Sequence, residues 1–463
     1  MKFNLLHGLL LSLYFTSLQA APNIVFILVD DMGWTGSSTL MDPELPESKS
    51  DFYQTPQIDA LAAAGMRFSQ AYAPAALCTP SRAAILTGKT PAELHITTPG
   101  GSRTQSYQKL APPRHLKELP EDAFTIAEAL QQQGYTTAHF GKWHIGKNSP
   151  SVHGFDVHDG NSGNQMPDVQ DGPKDVFGLT KRAMAFISEQ SHTGTPFYLQ
   201  LSHYAVHSPI EALATSRAKF AQMPAGSRHN DIDYAAMTYD LDNSIGQLLQ
   251  HIESLGLSKN TYVVFMSDNG ASSKPRESRN SPLNGGKGSL YEGGIRVPLI
   301  IRGPDVPSNS HCAQAVTGCD LFSTFSEWAG IDTPADTDGS SLAALARNDA
   351  SGFKRAQRVF LFHYPHYGLG PRQKPQSAII MEHYKLIKDL ESESYQLFDL
   401  SSDLSESDNL IQKMPEKAAQ MIQTMEARLR LVDAQQALPN PNYDPDAIQT
   451  RSSSQAGFLR FKK

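Results

Sequence analysis

The chain has 463 residues, 40% of them hydrophobic, 19% charged and 9% aromatic. That length allows one large domain with a smaller companion, or two to three ordinary domains, and excludes a disulfide-stapled mini-protein. With 40 Lys and Arg against 47 Asp and Glu the formal charge is -7, so neither nucleic acid nor a membrane surface is an expected partner, and a polyanion must be met by a local basic pocket.

The opening twenty residues, MKFNLLHGLLLSLYFTSLQA, have a basic start at Lys2, an apolar stretch from Leu5 to Phe15 and small or polar residues up to Ala20. This is the pattern of a cleavable signal over residues 1–20, and it predicts a periplasmic or secreted protein. A membrane anchor fits less well, because His7 and Gly8 interrupt a run already too short to span a bilayer. Three cysteines, Cys78, Cys312 and Cys319, enter a compartment where disulfides persist. Cys312 and Cys319 are close enough in sequence to pair, or are two buried thiols beside a strand end, and Cys78 is left over.

From residue 22 strands and helices alternate. In NIVFILV the run from Ile24 to Val29 is continuously apolar, the mark of a strand buried on both faces, and it is followed by Asp30 and Asp31. TPQIDALAAAG predicts a helix with Thr55 as N-cap, Pro56 in first position and Gly65 as stop, leading to a strand around Met66 to Tyr72. TIAEALQQQG carries a capping box in Thr125 and Glu128, followed by the strand YTTAHF and the loop GKWHIG. PFYLQLS is a further strand, followed by HYAVHSP, and a helical stripe from Tyr234 to Leu255 precedes the strand TYVVFMS and the loop DNG. The alternation predicts an α/β fold with a large, mostly parallel sheet sandwiched by helices over 22–355. Beyond it, RVFLFHYPHYG, SAIIMEHYKLIKD and SYQLFDLSSD predict a smaller C-terminal α+β subdomain with an antiparallel sheet over 356–440, with an amphipathic helix from about Pro415 to Val432 and an irregular tail over 441–463.

The reactive side chains fall just after strands: Asp30 and Asp31, Lys142 and His144, His207, and Asp268 and Asn269. In an open parallel sheet those ends share one edge, where ligands bind. Asp30, Asp31, Asp268 and Asn269 offer the oxygen donors a hard cation such as calcium or magnesium wants, although DD and DNG are also common turn sequences. LCTPSRAAILTG places Cys78 at the start of a helix with Pro80 in its first turn and Gly88 as its stop; Arg82, one turn on, adds a full charge and a fork of donors suited to an oxyanion.

These stretches together, the C-x-P-S-R signature at Cys78, Pro80, Ser81 and Arg82, with VDDMG, GKWHIG, SDNG and GKGSLYEGGIRVP from Gly286 to Pro298, resemble the type I sulfatases of the alkaline-phosphatase superfamily, and most closely bacterial polysaccharide sulfatases. The resemblance runs from about residue 22 through SYQLFDLSSD. It implies that Cys78 is oxidised during export to formylglycine by a formylglycine-generating or sulfatase-maturating enzyme, and that the hydrated aldehyde is the nucleophile. It also implies a calcium site from Asp30, Asp31, Asp268, Asn269 and the modified Cys78. By the same resemblance Arg82, Lys142 and Lys287 hold the hydrate and the sulfate, His144 assists the hydrate and His207 donates a proton to the departing alcohol. His207 is preferred over His203 because its H-x-P arrangement matches the family pattern, and Ser162 in GNSGN is a candidate further polar contact.

A cation, two lysines and an arginine suit the charge that develops when a sulfate monoester is attacked at sulfur. The implied substrate is a sulfated oligosaccharide or polysaccharide, taken from a chain end. His363, His366 and Arg372 in HYPHYGLGPR are candidate sugar or sulfate contacts, the alternative being a histidine-rich strand packed between domains. Arg276 and Arg279 are candidate readers of a second anionic group, or solvated loop charges. Two rivals stand beside this reading: a phosphomonoester or phosphonate hydrolase of the same superfamily, and a non-catalytic sulfated-glycan-binding protein.

Overall fold

Asn23–Val29 is buried at every position and forms the axis of an eight-stranded sheet. The strand order is Ser310–Cys312, Met66–Phe68, Leu299–Arg302, Thr261–Ser267, Asn23–Val29, Phe197–Ser202, Thr136–Gly141 and Val157–His158. Leu299–Arg302 pairs antiparallel with both its neighbours, and every other pairing is parallel. The computed structural model describes residues 21–101, 104–164, 171–272, 277–355, 358–368 and 373–447. The signal-like segment, Arg276 and Arg372 lie outside the described residues, as does the tail beyond 447.

Side chains of the central strand alternate between two cores, as a pleated strand requires. Val25, Ile27 and Val29 face a core built with helices Pro56–Ala63, Val176–Thr193 and Ile232–Ser254, while Ile24, Phe26 and Leu28 face one built with Cys78–Thr87, Ile126–Gln131 and Asp320–Trp328. Both faces of the sheet are therefore covered, which leaves its edges and strand ends for chemistry. Among the described residues no helix is long and apolar enough to cross a membrane.

Local signals and local structure mostly agree. Thr125 and Glu128 form the capping box, and Gly88 ends its helix in the left-handed conformation with φ 70°. Thr55, by contrast, makes no side-chain cap. The N–H groups of Gln57 and Ile58 are taken instead by the carboxylate of Asp242, on the long helix beside it, at 3.1 and 2.8 Å. The region around Met66 to Tyr72 is two short strands, Met66–Phe68 and Ala71–Tyr72, and the helix of the CTPSR stretch begins at Cys78 itself.

The C-terminal region is a four-stranded antiparallel sheet in sequence order, Val359–Tyr364, Gln376–Met381, Tyr384–Asp389 and Tyr395–Asp399, with SAIIMEHYKLIKD folded as a hairpin. Helix Pro415–Leu431 packs against one face through Met421 and Met425. The other face meets the catalytic part through Tyr72, Leu290 and Ile295. All three cysteines are free, so Cys312 and Cys319 are two separate thiols.

Candidate active site

Four adjacent strands end in register. Val29 pairs with Ser267, Leu28 with Ser202, and Ser202 with Gly141. The ladder runs one residue further: Asp268 N–H donates to Val29 O (3.0 Å), His203 N–H to Leu28 O (2.9 Å) and Lys142 N–H to Ser202 O (2.8 Å). Asp30, Lys142, the His207 loop and Asp268 are thereby delivered to one edge from four widely separated stretches of the chain. Gly141 is needed for the exit of its strand, with φ 95° and Ser202 O 2.0 Å from where a Cβ would stand. The serine that ends Thr261–Ser267 ties the two acidic turns together, accepting Met32 N–H at 2.9 Å and donating to Asn269 O at 2.9 Å.

Helix Cys78–Thr87 points its first residue at this edge. Ligand atoms of Asp30, Asp31, Cys78 and Asp268 all lie within 4.8 Å of one another, and those of Asp31, Cys78 and His207 form an overlapping group. Three cations interleave with the acids. Lys142 Nζ donates to Asp30 Oδ2 (2.5 Å), Lys287 Nζ to Asp31 Oδ2 (2.8 Å) and Arg82 Nε to Asp268 Oδ2 (2.8 Å). A second arm of Arg82 donates to Lys142 O at 2.6 Å.

The network is unfinished, and its loose ends are informative. Asp30 Oδ1, Asn269 Oδ1 and Arg82 Nη2 are buried without a hydrogen-bond partner among the described residues, a costly condition for polar atoms. Two unpartnered oxygens among three carboxylates and a sulfur are a donor set that fits a hard divalent cation, and the free guanidinium arm fits an oxyanion.

Burial pushes the Asp30 carboxyl up, but Lys142, His207, Arg82 and Lys287 together outweigh it and hold it well below the usual carboxylate range. Asp268 goes the other way, pushed up to about 7 by burial and by the charge of Asp30. Burial also pushes the Cys78 thiol up to about 12 against the pull of Lys142 and Lys287. An unmodified thiol here stays protonated near neutral pH and is a poor nucleophile.

The two histidines differ in what they can do. His144 lies in the left-handed region at φ 58°, held by its N–H to Ser162 O (2.7 Å) and by the Thr79 hydroxyl donating to its carbonyl (2.7 Å). Burial, then Lys142 and Arg82, push it down to about 3, so its ring is neutral. His207 Nδ1 donates to Ser208 O (2.5 Å), leaving Nε2 3.8 Å from Asp31 Oδ2. Its pKa is lowered by burial, with Asp30 and Asp31 opposing. His203 is fully buried and neither ring nitrogen has a partner among the described residues.

Ser162 is a clasp. Its hydroxyl donates to Gly141 O (2.7 Å) and accepts Trp143 N–H (3.1 Å), bracing the turn that carries Lys142 and His144. Thr79, Ser267 and this use of Ser162 escape sequence reasoning, since nothing separates such hydroxyls from ordinary turn residues until their distant partners are known.

The C-terminal histidines depart from expectation. His363 is an interior residue with Nδ1 on Ser377 Oγ (2.8 Å) and Nε2 on Gln435 O (2.7 Å), and His366 is fully buried with Nε2 on Thr97 Oγ1 (2.7 Å). Both nitrogens of the one and the whole ring of the other are enclosed, which corrects their assignment as sugar contacts in favour of packing. The same subdomain does reach the pocket through Gln373, whose Nε2 donates to Lys287 O at 2.6 Å. Arg279 is likewise structural, paired with Asp231 (2.6 Å) and stacked over Tyr234.

An α/β sheet with an antiparallel C-terminal sheet, an acidic and cationic pocket at the parallel strand ends and a cysteine at its centre suit chemistry on an oxyanion ester, and the relatives make the class a sulfuric ester hydrolase. Residues 22–331 match the sulfatase family, and residues 286–435 match the C-terminal region of N-sulphoglucosamine sulphohydrolase. The chain belongs to the sulfatase family. It is 30% identical to a sulfatase of Formosa agariphila across 98% of this chain and 96% of that protein. It is 32% identical to mouse N-acetylgalactosamine-6-sulfatase across 68% of this chain and 64% of that one. Among solved structures, Ps i-CgsB in complex with k-i-k-neocarrahexaose aligns with TM-score 0.74 at 26% identity, covering 95% of this chain and 97% of that one. BT4656 with D-glucosamine-2-N,6-O-disulfate shares the fold at TM-score 0.72 and 21% identity, over 89% of this chain and 98% of that one.

Proposed function

We propose that this sulfatase removes sulfate monoesters from a sulfated glycan outside the cytoplasm, working from a chain end, with residues 22–355 carrying the chemistry. The reading draws on the pocket and on what the related proteins bind or act on: a neocarrahexaose, N-acetylgalactosamine-6-sulfate. The proposed metal is calcium, held by Asp30, Asp31, Asp268, Asn269 and residue 78, where it would offset the carboxylates and polarise a bound sulfate oxygen. Formylglycine made from Cys78 by a maturating enzyme would supply a hydrated aldehyde, one hydroxyl to attack sulfur and a second whose deprotonation releases sulfate without water attacking sulfur.

The chain's own residues account for the rest. Arg82 Nη2, Lys142 and Lys287 surround the position of the ester oxygens and stabilise the charge that grows there. His207 Nε2, free of any backbone bond, delivers a proton to the leaving oxygen, a contribution of about 10² to 10⁴ in rate. Its Nδ1–H is fixed on Ser208 O, so proton delivery requires the doubly protonated ring. His144, neutral and tied through its carbonyl to the hydroxyl of Thr79, is the acceptor for the second hydroxyl.

The observation that carries this reading is the shared cluster of Asp30 Oδ1, Asn269 Oδ1 and Arg82 Nη2 around Cys78, all unpartnered among the described residues. The test is a mass spectrum of the Cys78 peptide from a host with a maturating enzyme, together with turnover on defined sulfated oligosaccharides of carrageenan, ulvan, fucan and glycosaminoglycan types. Conversion of Cys78 with desulfation of at least one type is expected. An intact thiol in active protein would overturn the nucleophile, and phosphate esters cleaved faster than every sulfate ester would overturn the substrate.

A further inference from the structure

Asn280 belongs neither to the acidic cluster nor to the cations around it, and it is fully buried. Its amide nevertheless holds the backbone of the turns that carry both. Oδ1 accepts the N–H of Ala271 (3.0 Å), and Nδ2 donates to Ala271 O (2.8 Å) and to Gly285 O (3.3 Å). A side-chain amide has the donor and acceptor of a peptide group, so Asn280 pairs with Ala271 at both points as a neighbouring strand would.

Ala271 stands two residues after Asn269, and Gly285 two residues before Lys287. The Lys287 N–H also donates to Ala271 O (3.0 Å), so one carbonyl receives the Asn280 amide and the Lys287 backbone together. A third turn presses on the same amide: a Cβ on Gly33, two residues after Asp31, would stand 2.5 Å from Asn280 Oδ1 and 3.4 Å from Ala271 Cβ. The amide is thus wedged among the turns that bear Asp31, Asn269 and Lys287, and the side chains of those turns meet one another. Lys287 Nζ donates to Asp31 Oδ2 (2.8 Å), and Asn269 Nδ2 donates to Asp31 Oδ1 (2.7 Å). Two further ties hold the segment after the Lys287 Cα, Gly288 N–H to Ala76 O (2.8 Å) and Gln373 Nε2 to Lys287 O (2.6 Å), whereas Asn280 acts on the approach to it.

We infer that Asn280 is a positioning residue for the reaction: its amide, bonded to Ala271 and Gly285 and pressed on Gly33, fixes the Lys287 ammonium relative to Asp31 and to the position of the ester oxygens. It acts through Lys287, and a charge held in place before the reaction stabilises the developing charge without reorganising. The inference rests on the role given to Lys287 in the proposed reaction, and the experiment separates the two.

The test is a double-mutant cycle on kcat/KM, read on whichever sulfate ester the matured enzyme turns over, 4-nitrophenyl sulfate included, well below the melting temperature of each variant. Asn280→Ala is expected to lower kcat/KM by about 10- to 100-fold, the scale of a misplaced charge. In protein that already carries Lys287→Met the same substitution should cost less than about threefold, because the ammonium it would displace is gone. Beside Ser162→Ala, which loosens the separate turn of Lys142, it should keep its full factor. Asn280→Asp, nearly the same shape but with no donor for Ala271 O and Gly285 O, replaces the alanine variant if that one does not fold. No loss in the wild-type background, an equal loss in the Lys287→Met background, or a loss that shrinks as much beside Ser162→Ala would each overturn the inference. If Lys287→Met alone leaves kcat/KM unchanged, the proposed role of Lys287 falls and the inference with it, whereas additivity beside a damaging Lys287→Met rejects Asn280 only.

Discussion

Two buried ionic networks, one around Cys78 and one around Lys385, are built to opposite ends. In the first, three carboxylates and three cations surround Cys78 and leave oxygens and a guanidinium arm without partners among the described residues. In the second, Lys385 of the C-terminal sheet sits 3.1 Å from Glu292 Oε1 and 2.8 Å from Glu406 Oε1. Glu292 Oε2 takes Arg296 Nη1 (3.1 Å) and the Tyr72 hydroxyl (3.2 Å), and Glu406 Oε2 takes the Glu292 N–H (2.7 Å). Every carboxylate oxygen of the second network is met, Glu406 Oε1 by an ion pair off the hydrogen-bond line. Burial of charge alone does not mark a functional site. What separates the first network is that its open oxygens and open guanidinium arm stand together beside carboxylates and a cysteine that could share one ion.

The largest effect should come from exchanging one cation in each network. Arg82→Met is expected to cut kcat/KM by about 10²- to 10³-fold, the scale of losing one donor aimed at a developing charge. Lys385→Met leaves two buried carboxylates facing each other and should cost about 3–5 kcal/mol of stability, while activity per folded molecule stays near wild type. Melting curves and initial rates on both proteins decide it. The comparison breaks if Lys385→Met kills activity without lowering the melting temperature.

A smaller effect should appear with pH. Burial pushes Glu406 up to about 7, with Lys385 opposing and Glu292 adding to the rise. The folded state therefore holds a proton more tightly than the unfolded chain does, so the stability it contributes is complete below about pH 4.5 and is lost as pH rises through about 7. Between those limits the wild-type protein should lose on the order of 1–3 kcal/mol relative to Glu406→Gln. Parallel melting-temperature profiles for the two proteins from pH 4.5 to 8 would show that Glu406 does not titrate in the folded state.

The smallest effect belongs to Ser162. Ser162→Ala frees the turn that bears Lys142 and His144 without removing any group from the pocket, and a lost positioning hydrogen bond of about 1 kcal/mol predicts a five- to tenfold fall in kcat with KM little changed. A rise in KM at constant kcat would instead show that the hydroxyl touches the substrate.

Much of the pocket was legible beforehand because its members are short motifs that each follow a strand. An apolar run such as 24–29 announces its own burial, and the residue after it is delivered to the sheet edge whatever the rest of the chain does. His363 shows the opposite case: in sequence it looks like a ligand for sugar, and only the arrival of Ser377 and Gln435 on its two nitrogens makes it an interior residue.

By itself the amino-acid sequence determined the alternation of strands and helices, the antiparallel character of the C-terminal region, and the kinds of side chain that end each strand, because periodicity, caps and turn residues act over a few positions. Tertiary structure alone decided the register that lines up Val29, Ser267, Ser202 and Gly141, the capping of Gln57 and Ile58 by Asp242, and which buried charges are closed and which stay open. Those outcomes depend on groups brought together from distant parts of the chain, and the energy of a buried charge is set by its neighbours in space.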